Sequence, residues 1–236
     1  MERLDKVISA MGLLSRREVK EMARQGRILV DGVPALSPEQ KVDPVLSRIL
    51  VDGAVLHYAQ YTYLLLHKPA GLLTATEDPR QKTVMDLLPG AYRKRGLSPV
   101  GRLDKDTEGL LLLTNDGDLN HRLTSPRYHV DKTYYARVDG TLSQQDADAF
   151  SRGIVLQDFT CLPAKLEVLG PQECLVTVQE GKFHQVKRML GSRGAPVTYL
   201  KRLTMGPLSL GDELAPGAYR ELTAGEISAL RRCCEL

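Results

Sequence analysis

Residues 101–117, GRLDKDTEGLLLLTNDG, set three acids directly against four leucines. Asp104, Asp106 and Glu108 alternate, Lys105 stands between the first two, and Leu110 to Leu113 follow without a break. A short unbroken apolar run bounded by turn residues reads as a buried strand, here about Leu110 to Thr114. An acidic loop feeding such a strand allows three readings: a calcium loop, a solvated turn, or one carboxylate held where it can do chemistry. The calcium reading starts well, with acids at the first, third and fifth positions and glycine at the sixth. It then fails, because the twelfth position is Asn115 rather than a bidentate Glu, and a strand follows where a helix is needed. The solvated turn suits Asp106 and Glu108. It suits Asp104 less well, because Leu103 and the leucine run bracket it with core-forming residues.

Outward from this stretch, strands dominate. Tyr63 to Leu66 is β-prone and ends at the Pro69/Gly71 turn, and further strands are expected over 132–138, 164–168 and 175–179. Helical spacing is expected near 84–88, 117–123, 143–152 and 184–191. Interspersed helices with hairpin-length loops predict an α+β fold around a mixed, mostly antiparallel sheet.

The first sixty residues read as a separate small unit. Leu4, Val7, Ile8 and Met11 recur at helical spacing, and Gly12 ends that helix. Ser15-Arg16-Arg17-Glu18 forms a capping box for a second helix running to about Arg24. Val19, Met22 and Ala23 form its apolar face, and Arg16, Arg17, Lys20 and Arg24 lie on or near the other side. ILVDG occurs twice, from Ile28 and from Ile49, each time as a short β-prone run ending in an Asp-Gly turn. The expected division is 1–58 and 59–236.

Composition bounds the rest. The 236 residues are 42% hydrophobic with a net charge of +3, which suits a packed globular protein. No run of about 18 apolar residues suggests a membrane span, and the charged N-terminus lacks a signal-peptide core. The four cysteines show no Cys-x-x-Cys spacing, which fits a reducing cytoplasm better than a zinc or disulfide scaffold. Between Lys182 and Arg202 lie six basic residues and no acid, the footprint expected for a polyanionic partner.

Several motifs now fall into one pattern. GRLDKDTEGLLLLTNDG resembles the central motif of the pseudouridine synthases, in the RsuA branch named for a bacterial small-subunit rRNA enzyme. HKPAG, from His67, resembles the family's Lys-Pro-x-Gly turn. SPRYHVDKTYYARV, from Ser125, resembles its Lys-x-Tyr strand. EGKFHQVKRML, from Glu180, resembles its Glu-Gly-x-x-x-Gln-x-Lys/Arg-Arg-Met segment, and GAYRELTAGEI, from Gly217, its closing segment. The opening stretch SRREVKEMARQGRILVDG, from Ser15, resembles an S4 RNA-binding domain.

The resemblance implies an enzyme that isomerises a uridine in RNA to pseudouridine, with Asp104 as the essential carboxylate. Cleavage at C1′ develops positive charge, which a nearby anion stabilises or traps. Tyr134 matches the family's active-site tyrosine, placed to stack on the displaced uracil and to take or relay the C5 proton. Lys187 sits where the superfamily has a basic partner for the aspartate, with Arg188 as the alternative, or else as a phosphate contact or a salt bridge internal to the fold. Arg102 is a candidate phosphate contact and Leu200 a candidate pocket wall. Arg16, Arg17, Lys20, Arg24 and Lys182 are candidate RNA contacts. An isomerisation implies no cofactor. His184-Gln185-Val186-Lys187 is more similar to the small-subunit enzymes than to the large-subunit ones, so the expected partner is rRNA of the small ribosomal subunit or an assembly intermediate, at the family's uridine 516 position. The protein is expected to act as a cytoplasmic monomer. A large-subunit synthase and a non-catalytic RNA-binding assembly factor are the alternatives.

Overall fold

The computed structural model describes residues 1–236. Its internal contacts divide it into two units, Met1–Thr62 with Leu88–Leu97, and Tyr63–Leu87 with Ser98–Leu236.

In the first unit, β1 (Glu2–Arg3) leads into helices α1 (Leu4–Ala10) and α2 (Arg16–Arg24). The capping box forms as the spacing predicts: the Ser15 amide donates to the Glu18 carboxylate at 2.6 Å, and the Glu18 amide donates to Ser15 Oγ at 3.3 Å. Val19, Met22 and Ala23 of α2 pack with Leu4, Val7 and Ile8 of α1 in one core. Full burial of such aliphatic side chains contributes about 1.5–3 kcal/mol each. Strands β2 (Ile28–Val30), β3 (Val33–Pro34), β4 (Lys41–Val42), β5 (Ile49–Val51) and β6 (Ala54–Val55) follow. The repeated ILVDG becomes two hairpins whose Asp-Gly turns take positive φ at both residues, the primed geometry that matches strand twist. β2 and β5 pair antiparallel, giving the order β3-β2-β5-β6, while β1 pairs with β4.

The unit also takes back a later piece of chain. Helix α3 (Gly90–Lys94) leads to Arg95, which donates to the Met11 carbonyl at 3.0 Å and to Thr62 Oγ1 at 2.8 Å. Gly12 has φ +72, and a side chain there would overlap the Ala91 carbonyl oxygen. The boundary expected after residue 58 therefore falls at Thr62, and residues 88–97 leave the contiguous segment in which they were expected.

The second unit is built on a nine-stranded sheet. Its strands are β7 (Tyr63–Lys68), β8 (Ser98–Pro99), β9 (Glu108–Thr114), β10 (Lys132–Val138), β11 (Lys165–Gly170), β12 (Glu173–Val178), β13 (Val197–Met205), β14 (Leu208–Ser209) and β15 (Tyr219–Glu221). The order is β11-β12-β10-β13-β9-β7-β15, with β14 on β13 and β8 on β9. Every pairing is antiparallel except β9 with β13, so the sheet is mixed and mostly antiparallel. Leu110 to Leu113 are all 0% exposed, which explains the lack of alternation: this strand is covered on both faces. Helices α4 (Gly117–Thr124), α5 (Gln144–Arg152), α6 (Gln185–Gly191) and α7 (Ala224–Cys233) complete the unit. Residues Val84–Leu87 form a 3-10 turn rather than the expected helix.

β13 was not among the expected strands, although it is nine residues long. Its sequence, VTYLKRLTM, hides the alternation because Arg202 occupies a buried position at 2% exposure, its Nε donating to the Leu110 carbonyl at 2.8 Å. A buried arginine inside a basic run looks like surface.

Candidate active site

The acidic loop is the connection into β9, and the strand beside it clamps it. Lys68, at the end of β7, is fully buried; its ammonium donates to the carbonyls of Thr107 at 2.8 Å, Pro69 at 3.0 Å and Lys105 at 3.2 Å. Burial pulls Lys68 down to about 8, against the opposing pull of Asp106, Glu108 and Asp104. The Gly71 amide donates to the Lys105 carbonyl at 2.7 Å, and Thr74 Oγ1 donates to the Leu103 carbonyl at 2.7 Å. The Thr107 amide closes the loop onto the Asp104 carbonyl at 3.1 Å. Gly109 then has φ +111, and a Cβ there would overlap the Arg202 carbonyl oxygen where β9 meets β13. The 67–74 segment thus preorganises the backbone on either side of Asp104.

The three acids have different neighbours. The Glu108 carboxylate accepts from the Tyr199 hydroxyl at 2.8 Å. Asp106 and Asp104 share Lys187, whose Nζ lies 2.6 Å from Asp106 Oδ1 and 3.0 Å from Asp104 Oδ2. Burial pulls the Lys187 ammonium down, but its bonds to Asp106 and Asp104 outweigh that and hold it above the ordinary lysine value. The same Lys187 bond holds Asp106 below the usual carboxylate range. His184 Nε2 stands 3.5 Å from Asp104 Oδ1.

Asp104, Lys187 and His184 open onto one cleft. Arg102, Asp104, Tyr134, Lys182, Lys187 and Leu200 all line it. Tyr134 projects from β10 with 8% exposure, and Leu200 comes from the neighbouring β13. Arg188 is not brought to the cleft. Its guanidinium pairs with Asp158 and lies over the Phe159 ring, 5.0 Å from the centroid. Consecutive residues on a helix diverge by about 100°, so Lys187 and Arg188 cannot serve the same point. Lys182 sits with its ammonium 4.0 Å from the Phe159 centroid and 3.7 Å from Glu180. Arg16, Arg17, Lys20 and Arg24 are exposed on α2 in the first unit.

Five contributors carry no site role in the sequence reading. Lys68 was seen only as part of a turn motif. Buried Glu180 and Gln185 pin the segment before α6: Gln185 Nε2 donates to Glu180 at 2.8 Å, and Gln185 Oε1 accepts from the Lys182 amide at 2.9 Å. His184 takes a left-handed backbone, φ 50 and ψ 31, ahead of α6. Thr107 Oγ1 is buried in the cleft wall without a partner. The motif spacing around Gln185 was the one available signal; the others depend on tertiary approach.

The chain matches the family described as RNA pseudouridylate synthase over residues 62–192 and the S4 domain over residues 2–44. It is 45% identical over 233 residues to an uncharacterised RNA pseudouridine synthase of Bacillus subtilis, covering 97% of this chain and 98% of the relative. It is 40% identical to the ribosomal small subunit pseudouridine synthase A of Pseudomonas aeruginosa, covering 97% of this chain and all of the relative. A crystal structure of a pseudouridylate synthase superimposes with a TM-score of 0.68 at 34% identity, covering 98% of this chain and 100% of that one. The chain therefore belongs to the RNA pseudouridine synthase family, with an S4 domain at its start.

Proposed function

We propose that this synthase isomerises one uridine of small-subunit rRNA, at the family's uridine 516 position, working as a cytoplasmic monomer on rRNA or on an assembly intermediate. Relatives named ribosomal small subunit pseudouridine synthase A, at 38–41% identity, support the substrate class. The observation that carries the chemistry is the Lys187 ammonium 3.0 Å from the Asp104 carboxylate, in one cleft with Tyr134.

The reaction breaks the bond from C1′ to N1 and forms one from C1′ to C5. The C5 proton leaves and N1 gains one, so no redox partner is consumed. Asp104 stabilises or traps the charge that develops at C1′. Glycoside hydrolases use two carboxylates because water must be activated as well; here the uracil itself returns, and one carboxylate suffices. Lys187 holds that carboxylate in place. The Tyr134 ring faces the displaced base, and its hydroxyl takes or relays the C5 proton. Arg102 and Lys182 meet the backbone phosphates of the extruded nucleotide, and the exposed cations of α2 hold RNA further along. Arg188, paired with Asp158, serves the fold here rather than the substrate.

The test is tritium release from C5-labelled uridine in small-subunit rRNA, followed by mapping of the modified position. Release confined to the small subunit is expected. Release from large-subunit rRNA alone overturns the target, and binding to rRNA without any release overturns the chemistry.

A further inference from the structure

Phe183 is the most exposed aromatic side chain that sits next to the cleft. It is 76% exposed, a large apolar surface with no protein partner on its outer face. Its inner face is occupied: the ring stacks on His184, with centroids 3.8 Å apart and planes 17° apart. His184 in turn lines the cleft and reaches Asp104. A chain of contacts therefore runs from the carboxylate through the His184 ring to Phe183, and ends in an open aromatic face.

The stack is held, not floppy. Glu180 and Gln185 bind each other across it, Gln185 accepting from the Lys182 amide just before Phe183 and Glu180 from the distant Leu162 amide at 2.8 Å. The left-handed backbone at His184 is a conformation that non-glycine residues rarely adopt. Such strain, kept next to a reactive centre, is a common mark of a functional position. An exposed phenylalanine gains nothing for folding, so its rigid display beside Asp104 calls for an apolar, flat partner. The uridine to be modified must leave its stack, which costs a few kcal/mol and leaves its neighbour without a stacking partner.

We infer that Phe183, backed by His184, stacks on the nucleobase adjacent to the extruded uridine and so stabilises the flipped state. This deepens the proposed reaction at the same site and rests on that reading. Phe183 is a positioning residue for structured RNA, since it meets the neighbouring base and not the reacting atoms.

The experiment compares kcat/KM on a folded small-subunit rRNA fragment and on a short unstructured oligonucleotide of the same local sequence. Phe183→Ala in the full chain is expected to lower kcat/KM on folded RNA by about tenfold to a hundredfold, the range for loss of one base–aromatic stack. On the unstructured oligonucleotide, where little unstacking is needed, it should change less than about threefold. Phe183→Trp should retain activity on both, and Phe183→Leu should fail on folded RNA alone. With 2-aminopurine beside the target uridine, wild type should quench its fluorescence and Phe183→Ala should not. Equal losses on both RNAs, or rescue by leucine, would overturn the stacking role in favour of simple support of His184. Wild type inactive on small-subunit rRNA yet active on another RNA would overturn the substrate reading instead, while the quenching comparison on that RNA still decides the role of Phe183.

Discussion

Helix α2 of the first unit and the cleft around Asp104 in the second treat their charges in opposite ways. In the first, Arg16, Arg17, Lys20 and Arg24 stand on the open side of α2, over an apolar core. In the second, the charged groups around Asp104 are bound to one another or to backbone: Lys68 to three carbonyls, Lys187 to two carboxylates, Gln185 to Glu180. Phosphate attraction is long-ranged and tolerant of position. Chemistry at C1′ is not, since small displacements of a reacting group lose large factors in rate. The cations of α2 stay at the exposed surface, Arg24 loosely paired with Glu21 at 3.9 Å, whereas the Asp104 carboxylate is fixed by Lys187.

Substitutions can break or sharpen that contrast. The largest effect is expected from Asp104→Asn, which should lower tritium release at least about a thousandfold while leaving rRNA affinity within a few fold. Activity equal to wild type would remove the carboxylate from its role. Next, Lys68→Met keeps the length of the side chain but takes its donor from three carbonyls, of which Lys105 alone keeps another, the Gly71 amide. It should reduce kcat by about a hundredfold through displacement of the loop and lower unfolding stability by about 2–4 kcal/mol. Full activity in Lys68→Met would mean that the clamp is incidental.

The first unit should respond in the opposite sense. Replacing Arg16, Arg17, Lys20 and Arg24 together with alanine should weaken rRNA binding by about tenfold or more and flatten its salt dependence. The melting temperature should barely move, because exposed substitutions stay near ±0.5 kcal/mol each. A collapse in stability would show that α2 needs these residues for folding.

The smallest expected effect compares two capping boxes. Ser15/Glu18 is open to solvent, whereas Glu226 of Thr223/Glu226 is also gripped by Arg220 at 2.7 Å. The hydrogen bond from Arg220 is the main reason that Glu226 falls from 4.5 to about 2, burial opposing it and the Thr223 contacts helping. A carboxylate depressed in the folded state adds stability that is whole above about pH 4.5 and is lost as pH falls toward 2. Glu226→Gln should therefore remove about 2 kcal/mol at neutral pH, allowing for solvent screening, and flatten acid unfolding between those values. Glu18→Gln should leave that profile nearly unchanged.

Much of the fold and of the cleft lining was legible because the residues concerned lie within short motifs. Asp104 and Tyr134 could be named from neighbours a few positions away, and α1, α2 and the twin hairpins follow from local periodicity and Asp-Gly turns. What escaped depends on distant partners. Nothing near Arg188 in the chain announces Asp158, thirty positions earlier, as its counterion. Nothing in VTYLKRLTM says that Arg202 points inward to the Leu110 carbonyl, and so β13 was lost among surface charges. The return of 88–97 to the first unit rests on Arg95 finding Met11 and Thr62, a match that no window of sequence contains. His184 gained a role only when its ring was seen between Phe183 and Asp104.

The lone parallel seam between β9 and β13 has a consequence for when the enzyme comes to life. Lys201 and Arg202 must settle beside Glu108 and Gly109, a closure across more than ninety positions, and Lys187 joins Asp104 across a gap nearly as long. A nascent chain halted at residue 180 would carry α1 and α2 complete but would lack Lys187 and β13. RNA binding is therefore expected to precede activity as the chain lengthens, an order that ribosome-stalled chains of increasing length would check.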